Sequence, residues 1–126
     1  MLTKTQEKTV LNAVTEASSI WKNAFNSGNA QGCTNQYEPD AIMEAKPFGT
    51  FKGHEEIYNF WQNLITDGFS HVEYIDPIIE VIDEKSAILR SGWKMNKAKG
   101  VIHKELWVLQ KDGKAKLRED SFEVQG

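Results

Sequence analysis

Three residues near the end of this 126-residue chain, Glu105, Arg118 and Asp120, have the types and spacing to do acid–base chemistry. Alternation along Val101–Leu109 puts Val101, His103, Glu105, Trp107 and Leu109 on one strand face. Ile102, Lys104, Leu106 and Val108 fall on the other. Both faces are largely apolar, so the strand is expected to be covered on both sides, by the interior on one and by an oligomer interface on the other. In the strand that follows, Arg118, Asp120 and Phe122 share a face, opposite Leu117, Glu119 and Ser121. If Glu105, Arg118 and Asp120 all point inward, they form a carboxylate–guanidinium–carboxylate cluster. Buried charges persist only when paired, so such a trio is self-consistent and could shift pKa values enough for proton transfer. The bland reading is a solvated charge run on an edge strand, with Glu105 neutralising Arg118. His103 reads as a rim histidine or an assisting base.

Other chemistries lack their motifs. His54-Glu55-Glu56-Ile57-Tyr58 begins like the zinc motif H-E-x-x-H, but Tyr58 stands where the second histidine is needed. His54, His71 and His103 are widely separated, and no metal site or cofactor is implied. No phosphate-cradling glycine loop and no G-x-S-x-G elbow is found. Cys33 is the one cysteine and has no base beside it in sequence, so it reads as a small buried thiol and not a nucleophile. Trp21, Trp61, Trp93 and Trp107 are either core or the apolar wall of a pocket, together with Met43 and Phe122.

These side chains must be positioned by helices and a sheet. Leu11, Val14, Ala17, Trp21, Ala24 and Phe25 recur at helical steps, Thr3 with Gln6 fits a capping box, and Gly28 ends the helix. A short second helix is expected over Ala30–Tyr37, broken by Pro39, then a brief strand over Ala41–Ala45 and a loop through Pro47–Gly53. A third helix carries Ile57, Phe60, Trp61, Leu64 and Ile65 on one face and closes at Gly68. From His71 the period changes to two. Strands are expected over Val72–Ile82, interrupted near Asp76–Pro77, and over Ser86–Met95, Val101–Gln110 and Lys114–Val124. Helices first and an antiparallel meander last define an α+β fold.

Composition sets the outer bounds. The length suits one domain, residues 1–126, able to bury a core without staples. The net charge of −3, with Lys and Arg dispersed among acids, argues against a nucleic-acid partner. The polar start, Met1–Lys8, argues against a signal peptide, and no apolar run suits a membrane span. A cytoplasmic protein is expected.

The runs Trp21–Asn29, Tyr37–Met43 and Gly53–Trp61, with the Asp112-Gly113-Lys114 turn, resemble the SnoaL-like branch of the nuclear transport factor 2-like superfamily, which includes ketosteroid isomerases. The likeness spans nearly the whole chain. It implies N-terminal helices packed on a strongly curved, mostly antiparallel sheet that forms a cone with an internal pocket. It also implies a homodimer across the outer sheet face, where Ile102, Leu106 and Val108 would lie. Similarity to ketosteroid isomerase puts Trp21 at that enzyme's oxyanion-hole tyrosine and Glu105 at its protonated aspartic acid. The general-base position falls on Ala45, and the adjacent Glu44 faces the other way. Relatives that hydrolyse limonene epoxide use an Asp–Arg–Asp cluster, echoed by Arg118, Asp120 and Glu105.

The expected protein is thus a pocket for a small organic molecule, lined by Trp21, Met43, Trp61, His103, Trp107 and Phe122. Asp120, Glu105 and Arg118 are the catalytic candidates for an isomerase, cyclase or hydrolase. A binding or scaffolding module without chemistry, or a dimerisation domain whose cavity is filled by its own side chains, remains open.

Overall fold

The computed structural model describes residues 2–126. Helix α1, Lys4–Asn26, starts with the expected reciprocal cap: Gln6 N–H donates to Thr3 Oγ1, and Thr3 N–H donates to Gln6 Oε1. Gly28 follows with φ +78°, the left-handed conformation that closes a helix cheaply in glycine. The buried stripe runs through Val10, Val14, Ala17, Trp21 and Phe25. Leu11, expected on that stripe, is exposed one position to its side.

Helix α2 covers only Ala30–Thr34. The expected extension to Tyr37 is overruled by sheet pairing. Leu117 N–H donates to the Gln36 carbonyl, and Tyr37 already opens strand β1, Tyr37–Lys46. Pro39 falls where the β1 register shifts between Tyr37 and Ile42, a place a residue without N–H can occupy. The expected loop after Pro47 contains strand β2, Gly49–Lys52, which pairs antiparallel with β1. Helix α3 spans Gly53–Thr66 and buries Ile57, Phe60 and Trp61.

Four strands follow: β3, Glu73–Val81; β4, Ser86–Lys94; β5, Lys99–Leu109; and β6, Ala115–Val124. They form one six-stranded sheet in the order β2-β1-β6-β5-β4-β3, antiparallel except for the parallel β1–β6 pair. The expected break in β3 is present, with Asp76 at φ +52° and a register shift between Ile75 and Ile78. The N-terminal helix packs on this curled sheet, an α+β cone, and the core lies between helices and sheet. No described helix is long and apolar enough to cross a membrane.

Two further register shifts decide which side chains face that core. Along β5, Ile102 pairs with Phe122 and Lys104 with Ser121, leaving His103 as an extra residue. Along β6, Leu117 pairs with Trp107 and Glu119 with Leu106, leaving Arg118 as an extra residue. Each bulge reverses the alternation from that point on. Ile102 and Glu105 therefore both face inward on β5, and Leu117, Asp120 and Phe122 on β6.

Candidate active site

A transverse row of side chains crosses four strands: Met43 on β1 pairs with Asp120 on β6, Asp120 with Glu105 on β5, and Glu105 with Leu89 on β4. All four are buried. Asp120 and Glu105 line a cavity of about 190 Å³. Its walls come from every layer: Trp21 from α1, Phe60, Trp61 and Leu64 from α3, Tyr74 from β3, Trp93 from β4, Ile102 from β5 and Phe122 from β6. Trp61 stacks on Phe122 at 5.7 Å between ring centroids, and Trp21 meets Trp61 edge-on at 4.9 Å. Phe48, Lys97 and Gly126, the exposed lining residues, mark the mouth.

The carboxyl pair is held from below. Tyr37 Oη donates to Asp120 Oδ2 at 2.7 Å, and Trp107 Nε1 donates to Glu105 Oε1 at 2.9 Å. Tyr37 is itself fixed, because His54 Nε2 donates to its backbone carbonyl at 2.7 Å. Asp120 Oδ1 is buried and has no partner. Burial pushes the Asp120 carboxyl up to about 7, against the opposing pull of the Tyr37 hydrogen bond. Burial, with the Asp120 charge next to it, holds the Glu105 carboxyl well above the usual range, against the Trp107 hydrogen bond. Two carboxyls this close in an apolar cavity do not readily ionise together, so the first proton lost leaves the other group neutral. Burial likewise raises the Tyr37 and Tyr74 hydroxyls, which stay protonated.

The expected site residues divide into three groups. Trp21, Trp61, Phe122, Glu105 and Asp120 meet at the cavity. Met43 and Trp107 are fully buried beside it and support the carboxyl row without lining the space. Arg118 and His103, both expected inside, lie outside. Arg118 donates to Glu38 through Nε at 2.7 Å and Nη2 at 3.2 Å, with its side chain 56% exposed. His103 is exposed and sits 2.9 Å from Glu123 Oε1. The physical reason is the same for both: each is the extra residue of a bulge. The expected Arg–carboxylate trio is therefore absent, and the echo of the epoxide-hydrolase cluster goes with it. Ile102, expected on the outer face, lines the cavity.

Ala45 is fully buried, whereas Glu44 faces away and accepts from Ser121 Oγ at 3.0 Å. No carboxylate stands where the ketosteroid-isomerase resemblance puts its general base. Sequence reasoning missed Tyr37, which carries no local signal because its partner is 83 residues away. It also missed Tyr74, Phe60 and Ile102 as lining residues. Cys33 is buried and its thiol is pushed up to about 12 by burial, as suits an inert core residue. Among the described residues, no group of three or more His, Cys, Asp or Glu side chains could hold a metal ion.

No family model and no curated protein matches the sequence. Solved structures match the whole architecture. A scytalone dehydratase-like protein from Novosphingobium aromaticivorans superposes with TM-score 0.81 at 13% identity, covering 98% of this chain and 89% of that one. A ketosteroid isomerase-like protein from Erwinia carotovora atroseptica gives TM-score 0.78 at 12% identity, covering 92% and 96%. A protein of unknown function with a cystatin-like fold from Nostoc punctiforme gives TM-score 0.78 at 16% identity, covering 98% and 94%. The fold is therefore the cystatin-like cone that these structures share. This chain's cavity is aromatic-walled and carries two carboxyls.

Proposed function

We propose that this chain binds one small organic molecule in the aromatic cavity and moves a proton on it, as an isomerase, cyclase or hydrolase. One observation carries the reading. Asp120 has one oxygen held by Tyr37 and the other unpartnered, beside a second buried carboxyl, in an apolar cavity. A carboxyl with a pKa of about 7 is close to ideal as a general base at neutral pH. Ionised Asp120 would take a proton from carbon next to a carbonyl or from a hydroxyl. Glu105, neutral in that state, would donate a hydrogen bond to the oxygen on which charge develops. Tyr37 positions Asp120, Trp107 positions Glu105, and Trp21, Trp61 and Phe122 enclose the substrate. Names given to neighbours of this fold, a dehydratase, an isomerase and a hexachlorocyclohexane dehydrochlorinase, denote reactions that need such a proton step.

The test is a thermal-shift screen with steroids, polyketides, terpenes and epoxides on wild type, Asp120→Asn and Glu105→Gln. Hits are then followed by NMR for hydrogen–deuterium exchange in heavy water. Exchange catalysed by wild type and lost in Asp120→Asn is expected. Hits that bind all three proteins equally and never exchange would leave a binding module and remove the catalytic assignment.

A homodimer is the second part of the proposal. Ile42, Ile75 and Ile78 are exposed large apolar side chains on β1 and β3, and Leu106 is half-buried on β5. Light scattering across a concentration series measures this directly, and a monomer at all concentrations would remove it.

A further inference from the structure

Several polar side chains line the cavity, yet nearly all keep their polar atoms away from its space. Trp21, Trp61 and Trp93 contribute ring surface, while each Nε1 is closed off. Asp120 gives Oδ2 to Tyr37, and its Oδ1 is closed as well. The Tyr74 hydroxyl has Ser18 of α1 as its side-chain partner, and Ser18 lies outside the lining. Lys97 stands at the exposed mouth, where Nζ donates to the Asp67 carbonyl at 2.8 Å. Glu105 is the exception. Its Oε1 accepts from Trp107 Nε1 at 2.9 Å, whereas Oε2 has no hydrogen bond within the chain and is not one of the closed atoms. In a neutral carboxyl the carbonyl oxygen is the better acceptor, so Oε1 takes the indole N–H and the proton sits on Oε2. Burial and the neighbouring Asp120 keep this carboxyl neutral. Glu105 thus offers the space one O–H donor.

Size and solvation then narrow the occupant. An apolar cavity of about 150 Å³ takes a benzene ring, and this one is about 190 Å³. One or two rings fill it. A polar group carried from water into an apolar space without a partner costs about 1–3 kcal/mol. One oxygen on the guest finds Glu105, and a second finds no side-chain donor inside. An anion fares worst, because it would add like charge beside two carboxyls in an apolar space.

We infer that the ligand is a neutral one- or two-ring molecule, hydrocarbon throughout except for a single oxygen acceptor that takes a hydrogen bond from Glu105 Oε2. This inference rests on the proposed pocket function and supplies its substrate class. The aromatic wall selects by exclusion: it accepts the hydrocarbon body and rejects further polar groups, which would lose water and gain nothing. Trp107 is the positioning residue, since its N–H engages Oε1 and so turns the O–H of Glu105 to the guest.

The experiment compares four probes of similar shape by calorimetry: tetralin with no oxygen, 1-tetralone with one, chroman-4-one with two, and 1-naphthoate as the anion. 1-Tetralone should bind roughly three- to tenfold tighter than tetralin, the worth of one hydrogen bond. Chroman-4-one should bind roughly three- to tenfold weaker than 1-tetralone, because its ring oxygen is desolvated without a partner. 1-Naphthoate should be the weakest of the four. Glu105→Leu removes the donor and should abolish the preference for 1-tetralone over tetralin. Glu105→Gln keeps an acceptor for Trp107 and an N–H for the guest, so it should retain that preference. The carbonyl ¹³C resonance of labelled 1-tetralone should move downfield on binding to wild type and Glu105→Gln. Equal affinity for tetralin and 1-tetralone, tighter binding of chroman-4-one or 1-naphthoate, a preference that survives in Glu105→Leu, or no binding of any probe would each overturn the inference. The proton-transfer reading fails separately: 1-tetralone would bind with the stated preference but exchange no deuterium at the carbon beside its carbonyl.

Discussion

Tyr37 Oη donates to Asp120 Oδ2 across 2.7 Å in the core, joining the first strand to the last. This bond leaves one oxygen of the carboxyl fixed and the other without a partner. Because the bond favours the ionised form, it is the one local force that opposes burial at Asp120.

Tyr37→Phe should therefore raise the Asp120 carboxyl further above about 7. It should also cost about 1–3 kcal/mol of stability, because a buried acceptor loses its donor. A ¹³C-carboxyl NMR titration and urea melts measure both. An unchanged or lowered titration midpoint for Asp120 would refute the assignment.

The pH dependence of stability follows from the same group. The folded-state pKa of Asp120, about 7, lies above the ordinary 3.8, so the folded state keeps a proton that the unfolded chain has already lost. Its contribution is fully present below the unfolded value and disappears as pH rises through about 7. Asp120→Asn cannot ionise. Relative to wild type it should gain stability between about pH 5 and pH 8, on the order of a few kcal/mol. Parallel denaturant melts at the two pH values settle the sign, and a variant that loses ground with rising pH would contradict it.

Gly100 is a packing requirement of the cavity wall. A Cβ there would collide with the Glu123 carbonyl oxygen and lie 2.7 Å from Trp93 Cζ2. Gly100→Ala should destabilise by about 1–3 kcal/mol or more, since backbone cannot yield as a side-chain tip can. It should also displace Trp93, changing tryptophan fluorescence and weakening ligand binding. A variant with wild-type melting temperature and emission would show that this edge is looser than described.

Arg118 offers the opposite expectation. Its pairing with Glu38 is on the surface, and exposed ion pairs contribute about 0–1 kcal/mol. Arg118→Gln should leave ligand-induced stabilisation and any deuterium exchange unchanged, with at most a small loss in melting temperature. Loss of exchange in this variant, with binding intact, would return Arg118 to the site.

What the sequence alone determined is the part governed by short-range rules. The Thr3–Gln6 cap, the stripe from Val14 to Phe25, the third helix, the irregularity at Asp76–Pro77 and the run of four closing strands follow from capping chemistry and hydrophobic period. The acidic candidates Glu105 and Asp120 and the wall residue Phe122 were legible because alternation held locally around each, and Trp21 and Trp61 because the helical period put them on buried helix faces. Only the tertiary structure decided the rest. The extra residues His103 and Arg118 exist because neighbouring strands pair on both sides of them, and no window of β5 or β6 alone reveals where the count slips. Tyr37 reaches Asp120 because β1 pairs parallel to β6, a long-range choice that overrode the expected extension of the second helix to Tyr37. The proton affinity of Asp120 comes from neither residue type nor spacing. It comes from enclosure by six or more side chains drawn from helices and strands throughout the chain, and burial is a property of the folded whole.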